Sequence, residues 1–402
     1  MFVLKAAFCR VFQGAFRLAL PLLPYREPRL LHGLNELPKA LKERGLARPL
    51  IVTDRGIADS GLLGMLETAL AGIAHALYDG TQPNPTVSNV EEALEIYRAK
   101  GCDCLIALGG GSAIDCAKGV GARIAHPRRS LQQMRGILRV LHPLPPFFAI
   151  PTTAGTGSEV TLAAVITDGE KRDKYALMSF PLIPHYAVLD ARLTVSLPPH
   201  LTASTGMDAL THAVEAFIGR STTKETRRLA LQATEIIFGN VARAWADGAD
   251  LQARESMLLA AYKAGAAFSK SYVGYIHAIA HSLGGQYGTP HGLANAVIMP
   301  HVLRAYGKRA HRKLHALGVA AGVCSAGESH AAGAEKFIEA IEGLNAHMLL
   351  PSMLRGIRRE DVPALARHAE REANPLYPVP RLMTAAELEK IYAQVADWSE
   401  EA

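Results

Sequence analysis

The sequence is poor in several features that would each define a class of protein. Aromatic residues make up 6% and charged residues 20% of the 402 residues, whereas 49% are hydrophobic, so disordered and coiled-coil compositions are excluded. The five cysteines, at positions 9, 102, 104, 116 and 324, form neither an even disulfide framework nor a paired zinc pattern. No signal peptide with a cleavage site is evident. We therefore expect a globular protein of the reducing cytoplasm.

The length and the charge limit the remaining possibilities. A chain of 402 residues exceeds what one hydrophobic core usually serves, which predicts two domains or at most three. The formal net charge is +6, but the basic clusters, such as Arg128-Arg129 and the run from Lys308 to Lys313, are short. No aromatic stacking motif accompanies them, so we expect no nucleic-acid partner.

Residues 1–24 form a separate N-terminal extension that is apolar and basic. Lys5, Arg10 and Arg17 interrupt its hydrophobic residues, which argues against a membrane-spanning helix. Two interpretations stay open: a basic amphipathic helix that contacts a membrane surface, or an extra helix that packs on the body of the protein or on a second subunit.

Short apolar runs alternate with helical periods from residue 48 onward, as in a parallel sheet covered by helices. The spacing of Ser88 and Glu91 predicts a capping box that opens a helix ending near Lys100, and a further helix is predicted over 114–124. The predicted strands are Leu50–Thr53, Ala76–Tyr78, Cys104–Leu108 and Phe147–Ile150, with further β-type runs over 160–167 and 187–189.

Strand signals stop near residue 190, and long helical periods rich in Ala and Leu follow. The predicted architecture is a Rossmann-like α/β dinucleotide-binding domain over residues 25–195 and an all-α domain over residues 196–402.

Two glycine-rich turns follow predicted strands. Gly109-Gly110-Gly111-Ser112 separates a buried strand from a helix, where backbone N–H groups can approach a phosphate. A second turn, with Thr152, Thr153, Thr156 and Ser158, follows the next strand. Two such turns at the carboxyl edge of one sheet predict a dinucleotide site.

Asp54 ends the first predicted strand. A carboxylate there would accept hydrogen bonds from a ribose diol and repel a 2′-phosphate, which favours NAD over NADP. A strand-end Asp can equally cap the next turn, and the sequence alone leaves both interpretations open.

The helical half contains one Asp and four His in patterns that can hold a metal. Asp208 and His212 are four residues apart on one helix face, His277 and His281 repeat that spacing, and His291 stands in a Pro-His-Gly turn. One carboxylate with imidazoles suits zinc or ferrous iron better than calcium. Spacing alone does not select the ligands among these histidines.

These motifs resemble the iron-containing (group III) alcohol dehydrogenase family from about residue 27 to the end of the chain. The motifs that carry the resemblance, in order, are Pro83-Asn84-Pro85-Thr86, the run 107–112 with Asp115 and Lys118, the run 151–160, Gly206-Met207-Asp208-Ala209-Leu210 with His212, the segment from His277 to His291, and Asn374-Pro375.

The resemblance implies a dehydroquinate synthase-like fold with an N-terminal NAD-binding domain and a C-terminal metal-binding helical domain. It assigns one divalent metal to the positions of Asp208, His212, His277 and His291, and places His281 beside the nicotinamide, from where it could pass a proton to solvent. The positions that match the cofactor site of the family are Asn84, Gly110, Gly111, Ser112, Thr152, Thr153, Thr161 and Lys174.

The reaction implied by the resemblance is hydride transfer between a small alcohol and NAD(H), with iron favoured over zinc and a homodimer expected. A metal- and NAD-dependent lyase of the dehydroquinate synthase type is the first alternative, although such an enzyme needs several basic residues around a polyhydroxy acid. Another dehydrogenase of the superfamily, acting on glycerol, diols or hydroxy acids, is the second. A non-catalytic nucleotide-binding or membrane-associated partner protein, suggested by the apolar N-terminal segment, is the third.

Overall fold

The computed structural model describes residues 2–169 and 173–399, which form two compact units. Residues 24–197 make up an α/β unit, and the residues before 24 join those from 198 onward in a helical unit. Helix α1, Phe2–Ala19, therefore packs as part of the helical unit rather than as a separate extension. Among the described residues, no helix is both long enough and apolar enough to span a membrane.

The α/β unit is built on a six-stranded sheet in which every strand pair is parallel, in the order β1-β9-β6-β4-β2-β3. Its strands are β1 Arg29–Leu31, β2 Pro49–Val52, β3 Ala76–Tyr78, β4 Cys104–Gly109, β6 Phe147–Pro151 and β9 Tyr186–Val188.

The central strand β4 shows why this sheet is covered on both faces. All six of its residues are buried, and alternate side chains enter different cores. Leu105 and Ala107 belong to one apolar cluster, whereas Cys104, Ile106 and Leu108 belong to another. A continuous apolar run is expected for a parallel strand with helices on both sides, because neither face meets water.

A second, three-stranded sheet was not predicted. Strand β8, Asp173–Met178, lies between β5, Gly136–Ile137, and β7, Ala163–Asp168. The β-type run predicted over 160–167 begins too early, because residues 158–160 form a 3₁₀ turn before β7 starts. The short strand β1 was also missed, since three residues give too little pattern to detect.

The helices of the α/β unit are α2 Leu37–Glu43, α3 Arg55–Asp59, α4 Leu62–Ala69, α5 Val87–Ala99 and α6 Gly111–Ala125. The predicted capping box at Ser88 and Glu91 is wrong. Helix α5 is capped two residues earlier, where the Thr86 hydroxyl accepts from the Asn89 N–H and the Asn89 side chain accepts from the Thr86 N–H. Thr86 is extended and follows a proline, which fixes the start of the helix there.

The helical unit, apart from α1, consists of α7 Pro199–Ile218, α8 Lys224–Ala246, α9 Leu251–Ser271, α10 Tyr275–Tyr287, α11 His291–Tyr306, α12 His311–Ala320, α13 His330–His347, α14 Val362–Ala373 and α15 Ala385–Val395. Helix α7 is buried along nearly its whole length after the first turn. Polar residues on α7 are therefore enclosed and need partners.

Candidate functional sites

The first glycine-rich turn lies where β4 ends and α6 begins. Gly109 adopts φ 150°, a conformation that disfavours side chains, and a Cβ there would stand 2.8 Å from the Cβ of Ala113. A Cβ on Gly111 would stand 3.0 Å from the side chain of Thr156. The turn therefore requires glycine, and it leaves the backbone N–H groups at the start of α6 able to bind an anion.

The second predicted turn lies beside the first. Strands β4 and β6 are parallel neighbours, with Gly109 paired to Pro151, so the two turns that follow them meet at one edge of the sheet. The Thr152 N–H donates to the Gly109 carbonyl at 3.0 Å, and the Thr153 side chain lies next to Gly110. This is the position where a doubly wound sheet binds a dinucleotide.

Three other predicted cofactor residues lie near one another. The Lys174 ammonium donates to the Asn84 side-chain oxygen at 2.7 Å, and the Asn84 N–H lies 3.4 Å from the Ser112 hydroxyl. Asn84 adopts a positive φ of 58°, which asparagine tolerates better than most residues. The structure thus brings residues from three segments of the chain next to the first turn.

Thr161, also a predicted cofactor residue, belongs to a buried network around Lys118. The Lys118 ammonium donates to the Thr161 hydroxyl at 2.9 Å, to the Ala163 carbonyl at 2.6 Å and to the Ser158 hydroxyl at 3.2 Å. The Ser158 hydroxyl in turn donates to Asp115 at 2.5 Å. Burial lowers the pKa of Lys118 to about 8. The network joins α6 to the loop before β7 and holds the second turn in place.

Asp54 caps helix α3. One carboxylate oxygen accepts from the Ile57 N–H at 3.0 Å, which is the capping role that the sequence left open. The other oxygen lies beside Gly109. The capping bond occupies one oxygen, and the preference for NAD stays a prediction.

The helical unit contains a cluster of metal-ligating groups. One ligand atom each from Asp208, His277 and His291 lies within 4.8 Å of the others. The Asp208 Oδ1 atom is 3.5 Å from His291 Nε2 and 3.9 Å from His277 Nε2. The Nε2 atom of His277 is buried without a hydrogen-bond partner. An orphaned imidazole nitrogen beside a carboxylate oxygen fits a divalent cation.

Three helices carry the side chains of this cluster. Asp208 lies in buried α7, His277 lies in the first turn of α10, and His291 is the first residue of α11. Asn295, one turn further along α11, donates to Asp208 at 2.7 Å and contacts His291. The side chains of His277 and Asp208 are almost completely buried, whereas that of His291 is 38% exposed. The cluster therefore has one side open to a ligand.

Glu215 is a functional residue that the sequence reasoning missed. Its carboxylate accepts from His277 Nδ1 at 2.7 Å and from the N–H groups of Gly274 and Ile276 at 2.7 and 2.8 Å. Burial raises the pKa of Glu215 to about 8, and the backbone hydrogen bonds oppose this rise. Because the carboxylate accepts a hydrogen bond from Nδ1–H, the lone pair of His277 is on Nε2, which lies 3.9 Å from Asp208 Oδ1. The spacing of 208, 212 and 215 on one helix face was the available signal.

His212, the fourth predicted ligand, lies next to the cluster but not within it. Its ring stacks between those of Phe268 and His277, with centroids 4.1 and 4.5 Å away. Its role as a ligand stays a prediction.

His281 has a different environment from the three clustered residues. Its Nδ1 atom lies 2.6 Å from Glu372, which also accepts from the Tyr377 hydroxyl at 2.8 Å. Burial by itself would raise the pKa of Glu372. The charge of His281 and the hydrogen bonds from His281, His368 and Tyr377 outweigh this effect and lower the pKa below its usual value. The carboxylate therefore orients the imidazole, whose ring stacks 5.2 Å from that of His291.

A glycine-rich turn between a parallel strand and a helix, in a chain that also carries a buried cluster of carboxylate and imidazole groups, is typical of one class of protein: the metal-dependent dehydrogenases that bind a dinucleotide. The comparisons with known proteins specify the class further. The chain belongs to the iron-containing alcohol dehydrogenase family. The model for "Iron-containing alcohol dehydrogenase" matches residues 31–191, and that for "Fe-containing alcohol dehydrogenase family, C-terminal" matches residues 202–396.

Individual relatives are similar over most of their length. A 1,3-propanediol dehydrogenase from Klebsiella pneumoniae is 40% identical over 359 residues, which cover 87% of this chain and 92% of the relative. A lactaldehyde reductase from Escherichia coli K12 is 40% identical over 341 residues, covering 84% and 89%. The structure of a sulfoacetaldehyde reductase from Bifidobacterium kashiwanohense, in complex with NAD+, has a TM-score of 0.83 and 28% identity, covering 93% of this chain and 98% of the other.

Proposed function

We propose that this protein is a metal-dependent alcohol dehydrogenase that transfers hydride between a small alcohol, or the corresponding aldehyde, and NAD(H). The observation that carries the proposal is the buried cluster of Asp208, His277 and His291, in which the Nε2 atom of His277 has no hydrogen-bond partner. The names of the relatives, which include a propanediol dehydrogenase and a lactaldehyde reductase, support a short hydroxylated substrate.

One divalent metal, with iron favoured and zinc as the alternative, would be held by these three residues, with His212 as a fourth ligand. When bound, such an ion supplies Lewis-acid chemistry, lowering the pKa of an alcohol and polarising a carbonyl group. Glu215 keeps His277 in the tautomer that binds the ion, and Asn295 orients the Asp208 carboxylate.

His281 is the residue that we propose to move the proton. Its Nδ1–H donates to Glu372, so Nε2 is the atom that can take up or release a proton. Its side chain is 38% exposed, which gives that atom access to water. Glu372, which also accepts from the Tyr377 hydroxyl, holds the imidazole in this orientation.

The α/β unit would bind NAD through its two turns. The N–H groups at the start of α6 take the pyrophosphate, and the threonines of the second turn lie beside them. Asp54 contributes a negative charge next to Gly109 that would disfavour a 2′-phosphate. We propose a homodimer as the assembly, and the five free cysteines support the expectation of a reducing, cytoplasmic environment.

The first experiment is metal analysis of protein purified without oxygen, followed by NADH formation with short primary alcohols and diols, with and without added Fe2+ or Zn2+. His277→Ala should lose both the metal and the activity. His315→Ala is the matched control, since His315 is another buried histidine of the helical unit outside the cluster. Bound metal without any NADH would contradict the dehydrogenase assignment, and absence of bound metal would contradict the ligand assignment.

A second experiment separates His281 from the metal ligands. His281→Ala should lower turnover at least about a hundredfold, the usual contribution of a general acid or base, while the metal content stays unchanged. His368→Ala is the control, because His368 lies 3.7 Å from the other oxygen of Glu372 but is largely exposed. An equal loss of metal in His281→Ala would contradict the proton-transfer role.

A further inference from the structure

Helix α1 packs on the helical unit through one face only. Gln13, near its middle, is buried; its side chain donates to the Tyr377 carbonyl at 2.8 Å, and its own carbonyl accepts from the Ser221 hydroxyl at 3.1 Å. Arg10 donates to the Val379 carbonyl at 2.8 Å. These polar contacts fix the rotation of the helix about its axis, so the opposite face is directed toward solvent.

That opposite face is apolar and continuous. With the exposed Ala15 included, its residues follow one another at intervals of three and four, which places them in one stripe along the helix and its C-terminal extension. The exposed fractions are 78% for Leu4, 61% for Phe8, 72% for Val11, 80% for Leu18 and 86% for Leu22, with Phe12 at 39% on the flank. Contiguous exposed apolar surface of this kind marks an interaction site.

A basic cluster lies beside the C-terminal half of α1, defined by Arg17, Arg220, Arg227, Arg312 and Lys313. Lys313 donates to the Ile218 carbonyl at 3.0 Å, just before Arg220 in the chain. Arg227 donates to the Thr222 hydroxyl at 3.0 Å, and the Ser221 hydroxyl, next to Arg220, donates to the carbonyl of Gln13, one turn before Arg17. Burial and the neighbouring arginine charges lower the pKa of Lys313 to about 8.

No acidic residue of the extension balances this cluster. The first 26 residues contain no Asp or Glu, and Arg17 of α1 is itself exposed. Glu225 is the acidic residue nearest to Arg227 in the sequence, and its carboxylate is paired with the Lys270 ammonium at 2.9 Å. A second copy of α1 would bring a matching apolar face but no negative charge, whereas anionic lipid headgroups adjoining an acyl layer match both features.

We propose that α1 binds to the surface of a bilayer that contains anionic lipids. Its apolar stripe enters the boundary between headgroups and acyl chains, while the basic cluster contacts the headgroups. The helix is already ordered on the helical unit, so binding does not require it to fold. The inference is independent of the dehydrogenase assignment.

The test is co-sedimentation of the full-length protein with vesicles. One set consists of phosphatidylcholine alone, and the other contains about a third phosphatidylglycerol. We expect binding to the anionic vesicles at low salt, little binding to the neutral ones, and release at about 1 M salt, where the screening length falls to about 3 Å. Protein that stays in the supernatant with anionic vesicles at low salt would overturn the proposal.

Exposed side chains provide a first variant and its matched control. Replacing Phe8, Val11 and Leu18 with Ser should weaken binding about a hundredfold or more, because their transfer out of water drives insertion. The control replaces exposed Leu141, Leu251 and Leu349 with Ser and should bind as the wild type does. Thermal melting and dehydrogenase activity, unchanged in both, show that the fold is kept.

A second pair of variants tests the basic cluster. Changing Arg17, Arg220 and Arg312 to Gln should lower anionic-vesicle binding about a hundredfold, since each basic residue near such a surface contributes about fivefold. The control changes three exposed arginines of the α/β unit, Arg98, Arg128 and Arg139, to Gln, so it has the same net charge as the first variant. Equal weakening by both sets would overturn the role of the cluster.

Mass photometry of the same variants tests the alternative that the apolar stripe binds a second copy of the chain instead of a membrane. If the serine variant at Phe8, Val11 and Leu18 changes from dimer to monomer while the wild type fails to bind vesicles, the stripe pairs with a second copy and the membrane proposal is overturned. An unchanged oligomer that has lost vesicle binding supports the proposal.

Discussion

The substitution Glu215→Gln tests whether Glu215 holds His277 in the tautomer that can bind a metal. The substitution keeps the size of the side chain but replaces one carboxylate oxygen with an NH2 group. In the structure, one oxygen of Glu215 accepts from the Ile276 N–H, and the other accepts from both Gly274 N–H and His277 Nδ1–H. The glutamine NH2 group must face one of these two sets of donors.

Both orientations of the glutamine have a cost. If its NH2 group faces Ile276, one buried N–H loses its acceptor, which destabilises the fold by about 1–3 kcal/mol. If it faces His277, the imidazole avoids the clash only by moving its proton to Nε2, the atom that should bind the metal. Loss of such a supporting partner typically lowers metal affinity about 10- to 100-fold, and we expect this range.

The assay is a competition between the protein and a chelator for Zn2+ or Fe2+, together with urea unfolding of the metal-free protein. Glu159→Gln is the control, because Glu159 is also a buried glutamate but belongs to the α/β unit. It should leave the metal affinity unchanged. A Glu215→Gln protein that binds metal as tightly as the wild type would refute the reasoning about the tautomer.

Three further substitutions test the α/β unit. Asp54→Asn keeps the helix cap but removes the negative charge. The preference for NAD over NADP should therefore fall at least about tenfold, measured as the ratio of the two kcat/KM values. An unchanged ratio would show that Asp54 is not part of the cofactor site. Gly111→Ala places a methyl group 3.0 Å from the side chain of Thr156. The Kd for NAD+, measured by fluorescence titration, should rise about tenfold with no change in metal content. An unaltered Kd would contradict the pyrophosphate assignment. Lys118→Met should lower the free energy of unfolding by about 3 kcal/mol, because it removes the ammonium from the buried network. The control Lys100→Met, at an exposed lysine, should change it by less than about 0.5 kcal/mol. Equal effects of the two substitutions would show that the buried network contributes nothing.

Elements with a strong local pattern were predicted well. The runs at Leu50, Ala76, Cys104 and Phe147 are strands within a residue or so of their predicted bounds, because consecutive buried β-type residues followed by Gly, Asp or Pro leave few alternatives. The short strand β1 was missed, because its partner β9 is distant in sequence. Strand β8 was missed although its partner β7 directly precedes it in the chain.

The same distinction applies to the metal site. The residue types and their spacing identified Asp208, His277 and His291 as candidates, but a spacing of four also occurs between residues that do not share a ligand. Packing of α7, α10 and α11 decides which atoms converge, and it places His212 in a ring stack beside the cluster. Its spacing from Asp208 and His212 places Glu215 on the same face of α7, but only the fold brings its carboxylate to His277.

The sequence by itself determined the class of protein, since glycine in a strand-to-helix turn and paired histidines in apolar helices are requirements of the backbone and of ligand chemistry that can be read locally. Tertiary structure alone decided the partners: which carboxylate orients His277, which one orients His281, and which face of α1 is left exposed. These are contacts between residues 62 to 369 positions apart. No local pattern encodes such a contact, because it depends on how whole helices pack.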